Sequence, residues 1–89
     1  MIYKYKIIFE EGLHSRIAIG LTNLCKEYEH SNIKIVKINE IEKDIKCRNL
    51  ISILTANILK DDIIEIQVTD LDKDTNNQIK NKLDNIFNI

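Results

Sequence analysis

The sequence predicts an α+β domain: an open-faced β-sandwich in which three helices cover one face of a four-stranded, mainly antiparallel sheet. The chain has 89 residues, a length typical of one domain, so residues 1–89 are interpreted as a single unit. Some segments alternate apolar and polar residues, as half-buried strands do, whereas others repeat apolar residues every three or four positions, as amphipathic helices do. The resulting order is β-α-β-β-α-β-α, and each helix must bury its apolar stripe against the sheet.

The first half of the chain is predicted to form a strand, a helix and a second strand. Residues 2–9 alternate between apolar and lysine positions, which indicates a strand with one buried face. From Ile17 to Tyr28 the apolar residues recur at helical spacing, so we expect an amphipathic helix that ends near residues 29–31. The second strand is predicted from Ile33, Ile35 and Ile38.

The middle of the chain is predicted to form a hairpin and a short helix. The polar segment from Asn39 to Asp44 is interpreted as the hairpin turn, with Ile45 in a short third strand. Asn49 is a favourable N-cap residue. It precedes a helix of two or three turns that we expect to end before residues 60–62, with an apolar face formed by Leu50, Ile53, Leu54 and Ile58.

A fourth strand and a third helix complete the predicted order. The strand is predicted from the alternating residues Ile64, Ile66 and Val68. Carboxylates between Asp70 and Asp74 suit the start of a helix, where they face the positive end of its dipole. The apolar face of this helix consists of Ile79, Leu83, Ile86 and Phe87.

Composition excludes several classes of function. Thirteen Lys and Arg residues against fourteen Asp and Glu give a net charge of −1, which lacks the basic excess typical of nucleic-acid binding. No apolar run approaches the ~20 residues of a membrane span, and the N-terminus lacks the apolar segment of a signal peptide. We therefore expect a cytoplasmic protein with no nucleic-acid partner and no insertion into a membrane.

The cysteines and histidines predict neither a metal site nor a cofactor. Cys25 and Cys47 are too far apart in the sequence for a CxxC pair, so we expect both to be reduced, with Cys25 buried and Cys47 near a helix start. His14 and His30 are the only histidines. His30 is interpreted as a cation near the end of the first helix.

One segment indicates chemistry: residues 12–16, Gly-Leu-His-Ser-Arg, between the first strand and the first helix. The first backbone N–H groups of a helix lack intrahelical acceptors and lie at the positive end of the dipole, so an anion is favoured there. His14 offers a nucleophilic ring nitrogen, and the Arg16 guanidinium matches the oxygens of a phosphate. Taken alone, a histidine after a glycine is also common as a solvated turn residue.

This segment resembles the Gly-[Leu/Ile]-His-Ala-Arg-Pro motif of HPr, the histidine-containing phosphocarrier family of the bacterial sugar phosphotransferase system. HPr domains have this length, carry the motif between the first strand and the first helix, and have the β-α-β-β-α-β-α order. Residues 49–54, Asn-Leu-Ile-Ser-Ile-Leu, and the strand that follows resemble the family's Ser-Ile-Met-Gly-Val-Met block and its following strand. The resemblance covers nearly the whole chain.

The resemblance implies a monomeric carrier without substrate turnover of its own. His14 would accept a phosphoryl group from enzyme I and pass it to the IIA domains of sugar permeases, and Arg16 would steady the phosphate. Backbone amides would donate to the phosphate from Ser15, Arg16 and Ile17. An apolar patch for partner docking would consist of Leu50, Ile51 and Leu54, and helical spacing favours Ile51 as its most exposed member.

The chain departs from the family pattern at four places. Ile17 replaces proline, and Ser15 replaces alanine and could itself cap the helix, which would move His14 outward. Asn49 replaces the serine that HPr kinase phosphorylates in many Gram-positive members, and an amide cannot accept a phosphoryl group. The extra length between His14 and Asn49 falls in the Asn39 to Asp44 hairpin, where a surface insertion costs little.

Two alternatives stay open at this stage. The departures at residues 15, 17 and 49 are also compatible with an HPr-fold regulatory or interaction module with weak or no phosphotransfer, which incubation with phosphoenolpyruvate and enzyme I would distinguish. An unrelated small α+β domain, in which His14 only caps or packs, would have a different strand order.

Overall fold

The computed structural model describes residues 1–38, 45–69 and 72–87. Within them the sheet contains three strands: β1 (Ile2–Lys6), β2 (Asn32–Lys37) and β3 (Ile63–Thr69). The spatial order is β1-β3-β2, and β3 pairs antiparallel with both neighbours. The predicted antiparallel α+β architecture is therefore confirmed at this level.

The short third strand that we predicted at Ile45 is not formed in the described residues, so three of the four predicted strands are present. Ile45, which we expected in a short strand, forms only one isolated antiparallel bridge with Ile35. The chain turns immediately after it, because the Lys46 N–H donates to Ser52 Oγ at 3.0 Å and the Lys46 carbonyl accepts from Asn49 N at 3.0 Å. These bonds draw residue 46 towards the following helix and end the ladder. The predicted hairpin, Asn39 to Asp44, lies outside the described residues.

The three helices are α1 (Ser15–Glu27), α2 (Leu50–Leu54) and α3 (Lys73–Ile86). No helix in the described ranges is both long and apolar enough to span a membrane. Helix α1 begins two residues before the predicted Ile17 and ends before residues 29–31. The predicted carboxylate at the start of α3 is Asp72, whose side chain accepts from Asp74 N at 3.0 Å.

Helix α2 starts where the sequence predicts and ends earlier. The Asn49 side chain caps it by accepting from Ser52 N at 3.2 Å. Helical structure stops after Leu54 because Asn57 adopts a left-handed conformation with φ of 57°, which asparagine tolerates better than most residues. Ile58, predicted on the helical face, is buried beyond the end of α2.

The core lies between the helices and one face of the sheet. Helix α1 contacts both α2 and α3. Its predicted apolar residues are buried up to Cys25, Tyr28 at the C-cap is partly buried, and the inward face of β3 is buried. The other face of the sheet carries exposed lysines, at Lys4, Lys6 and Lys34, which is the distribution expected of an open-faced sandwich.

The inward face of β2 contains a residue that sequence reasoning placed outside. We predicted Ile38 as the third inward position, yet strand alternation buries Lys37 at 8% exposure. Its Nζ donates to the Asn57 carbonyl at 3.0 Å and lies 3.4 Å from the Asp62 carboxylate. A buried ammonium is tolerated when it is paired and hydrogen-bonded in this way. Lys37 thereby ties β2 to the chain that leads into β3.

Candidate functional site

The loop before α1 is held by a glycine that no other residue can replace without strain. Gly12 has a φ of +73°, and its N–H donates to the Phe9 carbonyl at 2.9 Å. A Cβ at this position would lie 2.5 Å from the Ile58 carbonyl oxygen, which is a clash with backbone. The same carbonyl accepts from Leu13 N at 3.0 Å. Gly12 therefore lets the loop dock against the segment after α2 and fixes where His14 emerges.

His14 is the N-cap residue of α1. Its backbone is extended, with φ of −81° and ψ of 174°, and its carbonyl accepts from Ala18 N at 3.0 Å. The imidazole makes no capping hydrogen bond. It is half-buried, with its ring edge-on to Phe9 at a centroid distance of 5.2 Å. The ring therefore packs against Phe9 and takes no part in capping the helix.

The amides beside His14 form an open helix terminus. Ser15, Arg16 and Ile17 are the first three residues of α1, so their N–H groups have no acceptor inside the helix. Within residues 1–38, 45–69 and 72–87 no side chain caps them, and the first turn contains no acidic residue. The helix dipole adds its positive end at the same place. This terminus favours an anion, and the structure brings the predicted amide donors together with His14.

The two departures from the family pattern in this turn, Ser15 and Ile17, do not prevent α1 from starting here. Ser15 was expected to compete as the N-cap, and this is wrong, because His14 occupies the cap and Ser15 is the first helical residue. Ile17, the third residue of α1, is fully buried, so its amide is enclosed, whereas Ser15 is exposed. Arg16 is exposed in the same turn, on the solvent side of the terminus.

The predicted docking residues differ in their exposure to solvent, as helical spacing requires. Ile51 is 70% exposed and Leu54 is 43% exposed, whereas Leu50 is half-buried and Ile53 lies in the core. Sequence reasoning missed Leu59, which is 53% exposed and whose Cα lies next to Gly12. The contact depends on the fold, so no local pattern could have shown it. Exposed apolar side chains thus lie on α2 and beside the His14 loop.

Charged residues near the loop are paired with each other or face solvent. Glu10 forms an ion pair with Lys60 at 2.7 Å, and Glu11 is exposed. His30 lies beyond the other end of α1, is 97% exposed at its side chain, and has its Nε2 3.7 Å from a Glu29 carboxylate oxygen. It therefore takes no part in the site at His14.

The opposite end of α1 is closed by Arg48, a residue to which the sequence assigned no structural role. Its Nε donates to the Cys25 carbonyl at 3.0 Å, and its Nη2 donates to the carbonyls of Tyr28 at 3.1 Å and Ser31 at 3.0 Å. A guanidinium at a helix C-terminus both satisfies the last carbonyls and opposes the negative end of the dipole. Arg48 also fixes the approach of the chain to α2.

A family model excludes one of the two alternatives. The model described as the phosphorylation site of the phosphotransferase system HPr component matches residues 3–86 of this chain. The chain belongs to the HPr family. Members of this family are phosphocarriers of the phosphotransferase system, not catalysts. The reading as an unrelated α+β domain is therefore excluded.

Solved HPr structures agree with this assignment. The histidine-containing phosphocarrier protein of Mycoplasma has a TM-score of 0.76 and 25% identity, with 98% of this chain and 97% of that chain covered. An HPr from Thermoanaerobacter tengcongensis has a TM-score of 0.71 and 16% identity over 100% and 97% of the two chains. The HPr of Bacillus anthracis has a TM-score of 0.67 and 17% identity over 92% and 94%. No curated protein sequence matches the chain.

Proposed function

We propose that this protein is a phosphotransferase-system carrier in which His14 receives a phosphoryl group from enzyme I and delivers it to the IIA domains of sugar permeases. One observation carries the proposal: His14 caps α1 through its backbone alone, which leaves its ring free beside the exposed first residues of the helix, Ser15 and Arg16. A phosphoryl group on the ring would bring its anionic oxygens to the positive end of α1. Membership of the HPr family supports the same role.

The reaction is a transfer between two nucleophiles. A ring nitrogen of His14 forms a bond to phosphorus as the bond between phosphorus and the donor breaks, and the reverse exchange passes the group to the acceptor. The phosphoryl oxygens are strong hydrogen-bond acceptors. The amides of Ser15 and Arg16 and the exposed Arg16 guanidinium supply donors and positive charge for them. This stabilisation serves both directions of transfer, as a carrier requires.

Partner docking is assigned to the exposed apolar residues. Ile51 and Leu54 project from α2, and Leu59 lies beside the Gly12 turn. Exposed apolar patches of this kind mark protein interaction sites. We assign them to contacts with both enzyme I and the IIA domains, since a carrier presents the same phosphorylated side chain to each partner in turn.

The test is phosphorylation by enzyme I and phosphoenolpyruvate, followed by intact mass measurement. The wild-type protein is expected to gain one phosphoryl group that is labile in acid and stable in base. His14→Ala is expected to abolish the gain, and His30→Ala is the matched control because its side chain lies in solvent beyond the far end of α1. Label that persists in His14→Ala would contradict the proposal. A folded wild type that gains no phosphoryl group would favour the regulatory or interaction module.

A further inference from the structure

The imidazole of His14 contacts the ring of Phe9, a residue that comes before the Gly12 turn in the chain. The two ring centroids are 5.2 Å apart, and the ring planes meet at 79°. This edge-to-face geometry is attractive, because the positive edge of one ring meets the negative face of the other. The imidazole makes no capping hydrogen bond, so packing and not capping acts on the ring at the start of α1.

Phe9 is itself fixed at its backbone and at its ring. Its carbonyl accepts from Gly12 N at 2.9 Å, which closes the turn before α1. Earlier in the same segment, Ile7 N donates to the Asp62 carbonyl at 2.8 Å. The Phe9 side chain is partly buried and packs against the core. The ring that meets His14 is therefore part of the folded framework, not a side chain that moves freely in solvent.

His14 is fixed at its backbone, whereas its ring needs a further restraint. The His14 carbonyl accepts from Ala18 N at 3.0 Å, which sets the position of the Cα at the start of α1. Rotation about the two side-chain bonds is left, and the second of them has broad, roughly two-fold preferences in histidine. A nucleophile reacts faster when it is already held in a reactive orientation. A contact that limits these rotations therefore bears on the rate of transfer.

Phe9 orients the ring without occupying either nitrogen. A carbonyl or carboxylate that orients a histidine does so by accepting from one ring nitrogen. Phe9 has no polar side-chain atom, and the carboxylate of the next residue, Glu10, forms an ion pair with Lys60 at 2.7 Å. The Phe9 contact therefore leaves one nitrogen for the bond to phosphorus and the other for a proton.

We infer that Phe9 is a positioning residue for phosphoryl transfer: its ring holds the His14 imidazole in a restricted orientation beside the exposed first residues of α1. The inference rests on the proposed function, since it takes His14 as the acceptor. In this role Phe9 acts through the imidazole and not on the phosphoryl group itself. Aromatic pairs of this geometry favour the packed orientation by roughly two- to tenfold, which sets the size of the expected effect.

The test compares three variants in transfer from phosphorylated enzyme I, measured by rapid quench over a range of carrier concentrations. Phe9→Leu keeps an apolar side chain for the core and removes the aromatic ring. Its maximal rate is expected to fall by roughly two- to tenfold at an unchanged half-saturating concentration. Phe9→Tyr keeps the ring and is expected to retain the wild-type rate. Ile8→Ala is the matched control, because Ile8 is the neighbouring residue and is 59% exposed, so no change is expected.

Nuclear magnetic resonance of the folded protein tests the contact without any transfer. Wild type is expected to show nuclear Overhauser effects between the ring protons of Phe9 and His14. The Phe9 ring current is expected to displace the His14 ring signals in wild type and in Phe9→Tyr, and not in Phe9→Leu. A residue that only filled the core would not affect the His14 ring signals in this way. Chemical denaturation checks that each variant is folded under the assay conditions.

The outcomes separate this inference from the proposed function. Folded Phe9→Leu with the wild-type maximal rate would overturn the inference and leave His14 as the acceptor. A raised half-saturating concentration at an unchanged maximal rate would make Phe9 a docking residue and would overturn it too. Absence of the ring contact in the wild-type spectra would overturn it even if Phe9→Leu failed to fold. Wild type that keeps the ring contact and accepts no phosphoryl group would contradict the proposed function, and the positioning role with it.

Discussion

The two ends of α1 differ in how their backbone polar groups are hydrogen-bonded. At the C-terminal end one guanidinium, that of Arg48, donates to three carbonyl groups, those of Cys25, Tyr28 and Ser31. At the N-terminal end the first three amides have no acceptor among the described residues, and the side chain of the cap residue makes no capping hydrogen bond. The same helix is therefore stabilised by Arg48 at its C-terminal end, and its N-terminal end is one that favours an anion.

This difference shows what to look for when a fold is known and the chemistry is not. Unpaired helix-end groups cost stability when they are buried and little when water can reach them. Ser15 and Arg16 are exposed, so their amides are left open at low cost and remain available to a ligand. The carbonyls at the other end lie near the core, and the chain supplies a cation for them.

The largest expected effect is at the glycine that fixes the open end. Gly12→Ala would place a Cβ 2.5 Å from the Ile58 carbonyl oxygen in a residue with φ of +73°. We expect the free energy of unfolding to fall by on the order of 3 kcal/mol, because both backbone strain and a backbone clash must be relieved. Chemical denaturation measures this change.

Gly20→Ala is the matched control for Gly12→Ala. Gly20 lies within α1, and an added Cβ would meet only the Ile86 side chain, with its nearest atom at 3.2 Å. A gain in helix propensity of about 1 kcal/mol offsets the adjustment of that flexible side chain. Equal losses of stability in the two variants would show that Gly12 has no special role in holding the His14 loop.

The C-terminal end of α1 is tested with Arg48→Ala. Loss of the three hydrogen bonds to the end of α1 and the turn after it is expected to lower the free energy of unfolding by about 2 kcal/mol, since hydrogen bonds to charged donors are worth more than neutral ones. The folded variant is expected to accept phosphoryl at His14 at the wild-type rate, because the substitution lies at the other end of the helix. A variant with unchanged stability and slow phosphorylation would reverse the roles assigned to the two ends.

The N-terminal end of α1 is tested with Arg16→Ala. The side chain is exposed in the first turn of α1, so stability is expected to change by less than about 0.5 kcal/mol. Phosphoryl transfer is expected to slow by about tenfold, which corresponds to about 1.4 kcal/mol of lost stabilisation. Arg16→Lys keeps the charge and is expected to recover part of the rate. Rapid-quench kinetics give the rates, and a large fall in melting temperature would instead make Arg16 structural.

Local patterns were sufficient for the elements and for the candidate anion site. Alternation predicted the buried face of β1, helical spacing predicted the buried side of α1, and the Gly-Leu-His-Ser-Arg segment predicted a histidine at a helix start. These features depend on neighbours within a few positions along the chain. The roles of the individual site residues stay predictions until the transfer assay is done.

Features that depend on distant residues were missed. Lys37 is buried because the Asn57 carbonyl and the Asp62 carboxylate meet its amine. The ladder at Ile45 ends because Lys46 is hydrogen-bonded to Asn49 and Ser52, which turns the chain towards α2. The partners of Lys37 come from the connection between α2 and β3, far along the chain, so sequence spacing contains no signal for them.

The smallest expected effect is at the N-terminus of α2, where the cap residue is asparagine and the family pattern has serine. The Asn49 side chain accepts from Ser52 N at 3.2 Å, and serine is a comparable N-cap. Asn49→Ser is therefore expected to leave the free energy of unfolding within about 0.5 kcal/mol of wild type. Denaturation curves measured side by side check this, and a larger loss would show that the amide contributes more than a cap.

The same position decides whether an ATP-dependent HPr kinase can modify the protein. Wild type is expected to gain no phosphate from the kinase, because Asn49 has no hydroxyl. Ser52 is a poor substitute, since its Oγ lies inside α2 and accepts from Lys46 N at 3.0 Å. Asn49→Ser restores a hydroxyl at the cap, so phosphate on residue 49 of that variant alone is the expected result by mass spectrometry. Phosphate on Ser52 of the wild type would mean that α2 opens before the kinase acts, and that capping by Asn49 does not protect this helix.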